Sequence, residues 1–550
     1  MMRRAVWIAG LALGLLAMGC KERGSGGGGA AQVAGRRLSF AVRVAKVLES
    51  RLQPSGRLFV ILSARSEPEP RFGPGWAGPG AEPFFARDVR HWRRGGVETL
   101  GPDAIGFPPR RLAELPAGAY FAQALYETNS IDPSLNAAGN LVSKPRAIVV
   151  PESSGSRRYP LVLDRVLPKV PAPAETRLLK VVRIRSRLLS DFWHRPISLR
   201  AAVVLPRTYA EDQGRRYPVR YHIGGFHARY TAAFELMREG SFFRSQWLAP
   251  EAPQMILVFL DGEAPYGDSY QMNSANNGPY GDATVQELIP AIDARFRTVA
   301  SSRGRFLDGE STGGWVSLAL QIFYPEVFNG AWSFCADSVD FRRFQLVDIY
   351  SDANAYVNRY GMERPSMRDP DGEPRFTIRH EVAMERVLGR GNSFVNSGGQ
   401  WGSWNAVYSP RAASGAPAAI WDGATGVIDH GVAAEWKSHY DLRAFLENHW
   451  SALGPKLAGK LHIWMGDMDS FYLNDSMELL HAFLLGAKDP SSDAQITFGR
   501  RQGHCWAPLS EGELMRQMVA RFAAPAAGNG GTGAGPSAAA RKRQRKGGRR

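Results

Sequence analysis

The chain has 550 residues, 44% of them apolar and 22% charged, with a formal net charge of +16. That length and apolar share point to more than one packed domain and exclude a disordered or fibrous protein. Three cysteines exclude a disulfide-stapled scaffold; no Cys/His cluster has structural-zinc spacing, and neither a phosphate loop nor a dinucleotide fingerprint is present, so no metal or organic cofactor is implied.

The first twenty residues read as an address. Arg3 and Arg4 precede an apolar run, Ala5 to Met18, which ends in Leu16-Ala17-Met18-Gly19-Cys20. A charged start, a short apolar core and a small residue before the cut describe a secretory signal. Cysteine after glycine resembles a bacterial lipobox, although Ala17 and Met18 are not the preferred pair. The implied mature chain begins at a diacylated Cys20, anchored to a membrane by lipid rather than spanning it. A simple signal peptide cut elsewhere is the other reading. Lys21 in place of an aspartate favours the outer membrane of a cell envelope; a periplasmic or secreted protein is the alternative. Residues 21–37 are a glycine-rich tether, and no later stretch is long and apolar enough to cross a bilayer.

Residues 38–170 read as all-β. Leu38 to Val47, Leu58 to Ser63, Ala119 to Tyr126 and Ala147 to Val150 are short apolar or alternating runs between proline- and glycine-rich turns. Strands at this spacing predict a sandwich-like domain of immunoglobulin type, with no chemistry of its own. Pro168 to Pro173 reads as a semi-rigid linker.

Residues 171–522 change pattern. Leu178 to Arg187 and Ile197 to Leu205 predict an opening pair of strands; Tyr217 to Ile223 and Met255 to Leu260 are further strands, and Val285 to Phe296 is an amphipathic helix. Alternating strands and helices predict a mostly parallel sheet, whose ligands bind at the carboxyl ends of its strands. The segment Arg305 to Phe334 then runs strand, glycine turn, helix, strand. Its Gly309-Glu310-Ser311-Thr312-Gly313 is the strained turn that can expose Ser311 as a nucleophile; an ordinary helix N-cap is the other reading of that serine. Gly224-Gly225-Phe226 is a strand-end turn able to aim the Phe226 amide at an oxyanion, with the Thr312 amide as second donor. His222 and His227 read as packing or rim residues. The base and its orienting acid follow in the order Ser, acid, His. Asp469, with Asp467 as alternative, lies after the strand Leu461 to Met465, and His504 lies after Ala494 to Phe498. The histidine would take and return the serine proton while the carboxylate holds its tautomer. Residues 523–550 form a basic tail that carries seven of the net positive charges between Arg541 and Arg550, and nothing argues for sequence-specific nucleic-acid binding.

Asn277 to Trp315 resembles the putative-esterase family of α/β-hydrolases, which includes esterase D, enterochelin esterases, feruloyl esterases and mycolyltransferases. The segment Leu189 to Pro206, with Asp191-Phe192-Trp193, is similar to that family's opening strands. Gly466-Asp467-Met468-Asp469-Ser470-Phe471 is similar to its acid loop, in which the aspartate three after the glycine is the triad member. Gly503-His504-Cys505-Trp506 is similar to its Gly-His-Asp-Trp base loop, with cysteine in place of aspartate. The resemblance covers about 180–520 and implies an α/β-hydrolase domain.

Two departures stand out. Residues 351–456 are an excess between nucleophile and acid, rich in Trp401, Trp404, Trp421 and Trp436. They read as a cap with aromatic walls for an aromatic acyl group or sugar rings, or else as tryptophans that merely pack the insertion. Cys505 is the second: a disulfide to Cys335 would pin the base loop, and two free thiols are the alternative. The expected protein is a serine esterase acting on a small-molecule or carbohydrate ester. Rivals are an acyltransferase on the same triad, acting on an envelope sugar or lipid, and a non-catalytic binding protein.

Overall fold

The computed structural model describes residues 36–129 and 131–524. The signal segment, Cys20, nearly all of the glycine tether and the basic tail from residue 525 lie outside the described residues.

The N-terminal region is one hydrogen-bonded sheet of nine strands. The runs marked in the sequence are the strands Arg36–Val44, Gly56–Ser63, Gly118–Glu127 and Arg146–Val150. Phe84–Val89, Leu141–Ser143 and Gly155–Val166 join them. The arrangement departs from an immunoglobulin sandwich of two separately bonded sheets. Gly155–Val166 runs parallel to Arg36–Val44 over its first part and then pairs with Leu141–Ser143. Gly118–Glu127 likewise serves Arg146–Val150 at one end and Leu141–Ser143 at the other. Twisted strands shared in this way let the sheet curl around its own core of Leu38, Phe40, Leu58, Val60 and Leu163.

Gly56–Ser63 is buried at every position, which one core cannot explain. Its second face meets a later part of the chain: Phe59, Ile61, Phe84 and Leu125 pack with Met384 and Val387 of the helix Ile378–Leu388. Arg57, fully buried, crosses the same junction. Its Nε donates to the Val387 carbonyl at 3.0 Å and its guanidinium pairs with Asp88 at 2.6 Å. An arginine at a helix C-terminus satisfies free carbonyls and complements the dipole.

The second sheet has eight strands in the order Leu179–Ser186, Ile197–Val204, Ile256–Leu260, Val219–Ile223, Arg305–Glu310, Ala331–Phe334, Leu461–Gly466, Gln495–Gly499. Ile197–Val204 is antiparallel to both of its neighbours; the pairs that follow are parallel. Ile256–Leu260 is buried throughout, as a strand covered on both faces must be. This is the α/β-hydrolase fold. The opening strands are joined by a short helix, Arg187–Trp193, capped by Ser186, and not by a tight turn. The helix expected over 285–296 carries a π-turn at Thr284–Leu288 before Ile289–Arg295. Pro290 explains it, since proline lacks the amide donor and collides with the carbonyl four residues back.

Between Ala331–Phe334 and Leu461–Gly466 come the hairpin Pro365–Arg368/Pro374–Thr377 and the helices Ile378–Leu388, Gln400–Tyr408, His430–His439 and Leu442–Leu457. Leu442–Leu457 packs on the helix Thr312–Phe323 and leads straight into the next strand, so it serves as a crossover helix of the sheet. Trp401, Trp404, Trp421 and Trp436 are 0–3% exposed. They pack with Phe341, Phe344 and Tyr408 in the core of the second sheet, so the expectation of open aromatic walls gives way to interior packing.

Candidate active site

Parallel register brings the carboxyl ends of five strands to one edge: Ile223 faces Gly309, Glu310 faces Phe334, Phe334 faces Trp464, and Gly466 faces Gly499. The residues singled out in the sequence sit in the turns just beyond. Ser311 separates the strand Arg305–Glu310 from the helix Thr312–Phe323 with φ 55° and ψ −122°, a conformation that costs a non-glycine residue on the order of 1–3 kcal/mol. The flanking glycines permit it. A Cβ on Gly313 would lie 1.9 Å from the Ile223 carbonyl oxygen, and one on Gly309 would lie 2.3 Å from that of Gly313. Ser311 makes no side-chain capping bond to the helix, which removes the N-cap reading.

Its Oγ instead lies 3.0 Å from His504 Nε2. His504 Nδ1 lies 2.6 Å from Asp469 Oδ2. Asp469 is fully buried, whereas the His504 side chain keeps 18% exposure, so the imidazole is reachable and its partner is not. The other Asp469 oxygen accepts the Phe471 amide at 2.9 Å and the Leu473 amide at 3.4 Å. Asp467 turns elsewhere, accepting the Arg501 amide at 2.5 Å. Of the two aspartates, only Asp469 meets the imidazole.

The turn Gly224-Gly225-Phe226 flanks the serine: a Cβ on Gly225 would stand 3.6 Å from Ser311 Cβ. Thr312 opens its helix, so its amide is among those with no intrahelical partner, at the positive end of the dipole. His227 stacks on Phe226 at 3.8 Å and meets the Gly398 carbonyl through Nε2 at 3.0 Å, a rim position. His222 lies under the turn with Nδ1 3.0 Å from Asp308, which also holds Arg220 through both oxygens.

A family model described as Putative esterase matches residues 197–421. Over that segment the chain is similar to this esterase family. The match holds Phe226, Ser311 and Thr312 and stops short of Asp469 and His504. No curated protein matches the chain. Among solved structures it is similar to a ferulic acid esterase, 16% identical over 60% of this chain and 92% of that one, with a TM-score of 0.31. It is also similar to an S-formylglutathione hydrolase from Agrobacterium tumefaciens, 13% identical over 62% and 91%, TM-score 0.32. A third is FphF, a fluorophosphonate-binding serine hydrolase of Staphylococcus aureus, 11% identical over 62% and 98%, TM-score 0.36.

Two features of this site went unread in the sequence or were left open there. Asp337, buried just past the strand Ala331–Phe334, accepts from Tyr270 Oη at 2.7 Å, Trp404 Nε1 at 3.1 Å and Thr312 Oγ1 at 3.2 Å. Its amide donates to the Ser311 carbonyl at 3.2 Å, so one buried carboxylate ties together the residues on both sides of the turn. Cys335 and Cys505 are joined by a disulfide with Cα atoms 4.8 Å apart, and Cys335 Sγ also accepts the Ser311 amide at 3.2 Å. Cys335, Cys505 and His504 are the one cluster among the described residues whose donor atoms lie close enough to hold a metal, within 4.8 Å. The disulfide uses both thiols, which leaves the imidazole as the sole ligand.

Burial disfavours the charged form of His504, but Asp469, Asp337 and Glu310 outweigh it and hold the imidazole above its ordinary value. Burial likewise raises Asp337 above the usual carboxylate range, against the hydrogen bonds it accepts.

Proposed function

We propose that this chain is a carboxylic ester hydrolase that works through an acyl-enzyme on Ser311, with His504 as general base and acid and Asp469 as its orienting carboxylate. The observation that carries the reading is the unbroken line Ser311 Oγ, His504 Nε2, His504 Nδ1, Asp469 Oδ2, with steps of 3.0 and 2.6 Å. The hydroxyl, relieved of its proton by the imidazole, attacks the ester carbonyl. The oxyanion is held by the Phe226 and Thr312 amides, each worth about 3 kcal/mol of transition-state stabilisation. The imidazolium protonates the departing alcohol, and water, activated by the same ring, then releases the acid. The substrate class is a small-molecule or carbohydrate ester. Export behind the signal segment and a lipid anchor at Cys20 belong to the same reading.

Turnover of acetyl, longer acyl, feruloyl and catecholate esters by the purified protein, with Ser311→Ala alongside, tests it. The variant loses about four to six orders of magnitude in kcat and no longer reacts with a fluorophosphonate. Unchanged turnover refutes the nucleophile. Product analysis with a sugar or lipid acceptor present separates transfer to that acceptor from hydrolysis.

A further inference from the structure

The loop that carries Asp469 is held from outside by a residue of the hairpin Pro365–Arg368/Pro374–Thr377, which belongs to neither large sheet. Arg368 donates its amide to the Ser470 carbonyl at 2.8 Å and its Nε to the Asp469 carbonyl at 3.0 Å. Its Nη2 donates to Asn474 Oδ1 at 3.1 Å, and the guanidinium lies 4.3 Å over the Tyr472 ring. Tyr472 itself has φ 61°, a left-handed conformation that a bulky residue rarely adopts unaided. The turn of the same hairpin reaches the base loop, since a Cβ on Gly503, the neighbour of His504, would stand 3.3 Å from Pro370 Cγ. At its other end Phe376 meets Trp76 of the N-terminal region edge to face at 5.2 Å.

We propose that Arg368 is a positioning residue for Asp469 and that the hairpin is a brace through which the N-terminal region steadies the proton relay. The inference rests on the triad reading above. Asp469 serves His504 only while Oδ2 stays on Nδ1, and the guanidinium fixes the backbone immediately behind that carboxylate. A displacement of about 1 Å in such a relay costs up to about 100-fold in rate.

The test compares full-length Arg368→Ala, Arg368→Lys and Arg375→Ala, the last altering an exposed ion pair with Asp369 at the hairpin turn. For Arg368→Ala, kcat falls about 10- to 100-fold while KM stays within about twofold. The low-field proton resonance of His504 Nδ1–H moves or broadens. The acid limb of kcat/KM moves to lower pH, because the imidazolium loses part of Asp469's support while Asp337 and Glu310 remain. Arg368→Lys, which keeps the stem, the charge and one donor, recovers part of kcat; Arg375→Ala matches the parent. A folded Arg368→Ala with parental kcat and resonance overturns the proposal, and so does an equal loss in Arg375→Ala, which would mark general loosening of the hairpin. Should Arg368→Ala not fold, Arg368→Lys decides: a lowered kcat at an unchanged melting temperature supports the brace, and a parental kcat refutes it. An inert Ser311→Ala beside an unaltered Arg368→Ala refutes the brace alone, whereas an active Ser311→Ala refutes the triad.

Discussion

In the proposed relay only the neutral imidazole of His504 can take the serine proton, so the acid side of the kcat/KM profile reports its ionisation in the free enzyme. Burial opposes the charged ring, yet Asp469, Asp337 and Glu310 more than offset it. The acid limb therefore sits above the roughly 6.5 of an unperturbed imidazole. Asp337→Asn removes one of those charges while keeping an oxygen for Tyr270, Trp404 and Thr312, and it moves the limb to lower pH. A pH–rate series on the two proteins checks the sign; an unmoved limb would mean that Asp337 is neutral in the working enzyme.

Among the elements, the two turns that meet at the serine are covalently tied. Cys335 follows the strand Ala331–Phe334 and Cys505 follows His504, so their disulfide links the far side of the serine turn to the base loop across 170 residues of sequence. Reduction by a dithiol, or Cys505→Ser, frees the loop that delivers the imidazole. The expected result is a lower kcat and a lower melting temperature, with a stability loss of about 2–5 kcal/mol. Activity and melting measured with and without reductant check this. Much of this geometry was legible in the sequence because short apolar runs ending in glycine or aspartate mark strand ends, and the chemistry of the fold lives there. Ser311, Asp469 and His504 each follow such a run. Arg368 and Asp337 do not announce themselves: their partners, Asp469 and Tyr270, lie 101 and 67 residues away in sequence, and only the folded chain sets them side by side. The strand Gly155–Val166 escaped for a related reason, since Arg157, Arg158 and Pro160 mask its period of two, and no local pattern states that it will pair in parallel with Arg36–Val44.

At the scale of the molecule, the N-terminal region and the α/β region share a buried face, formed on the second side by the small hairpin and the helix Ile378–Leu388, that the local sequence conceals. The linker between them has exposed residues such as Val170, 83% accessible, and looks like a place to cut. Yet Phe59, Ile61 and Leu125 on one side close over Phe376, Met384 and Val387 on the other. A chain begun at Arg177 leaves that second set in water, and it is expected to be recovered mainly in the insoluble fraction; a soluble, monomeric fragment with a parental melting temperature would overturn this. Arg57 sharpens the point, because a guanidinium with no exposed side-chain surface is paired with Asp88 on its own side and bonded to the Val387 carbonyl on the other. For anyone wishing to graft this catalyst onto another carrier, the seam that the linker advertises is a false one. The transplantable piece is the two regions together, and the border between them behaves as the interior of a single body.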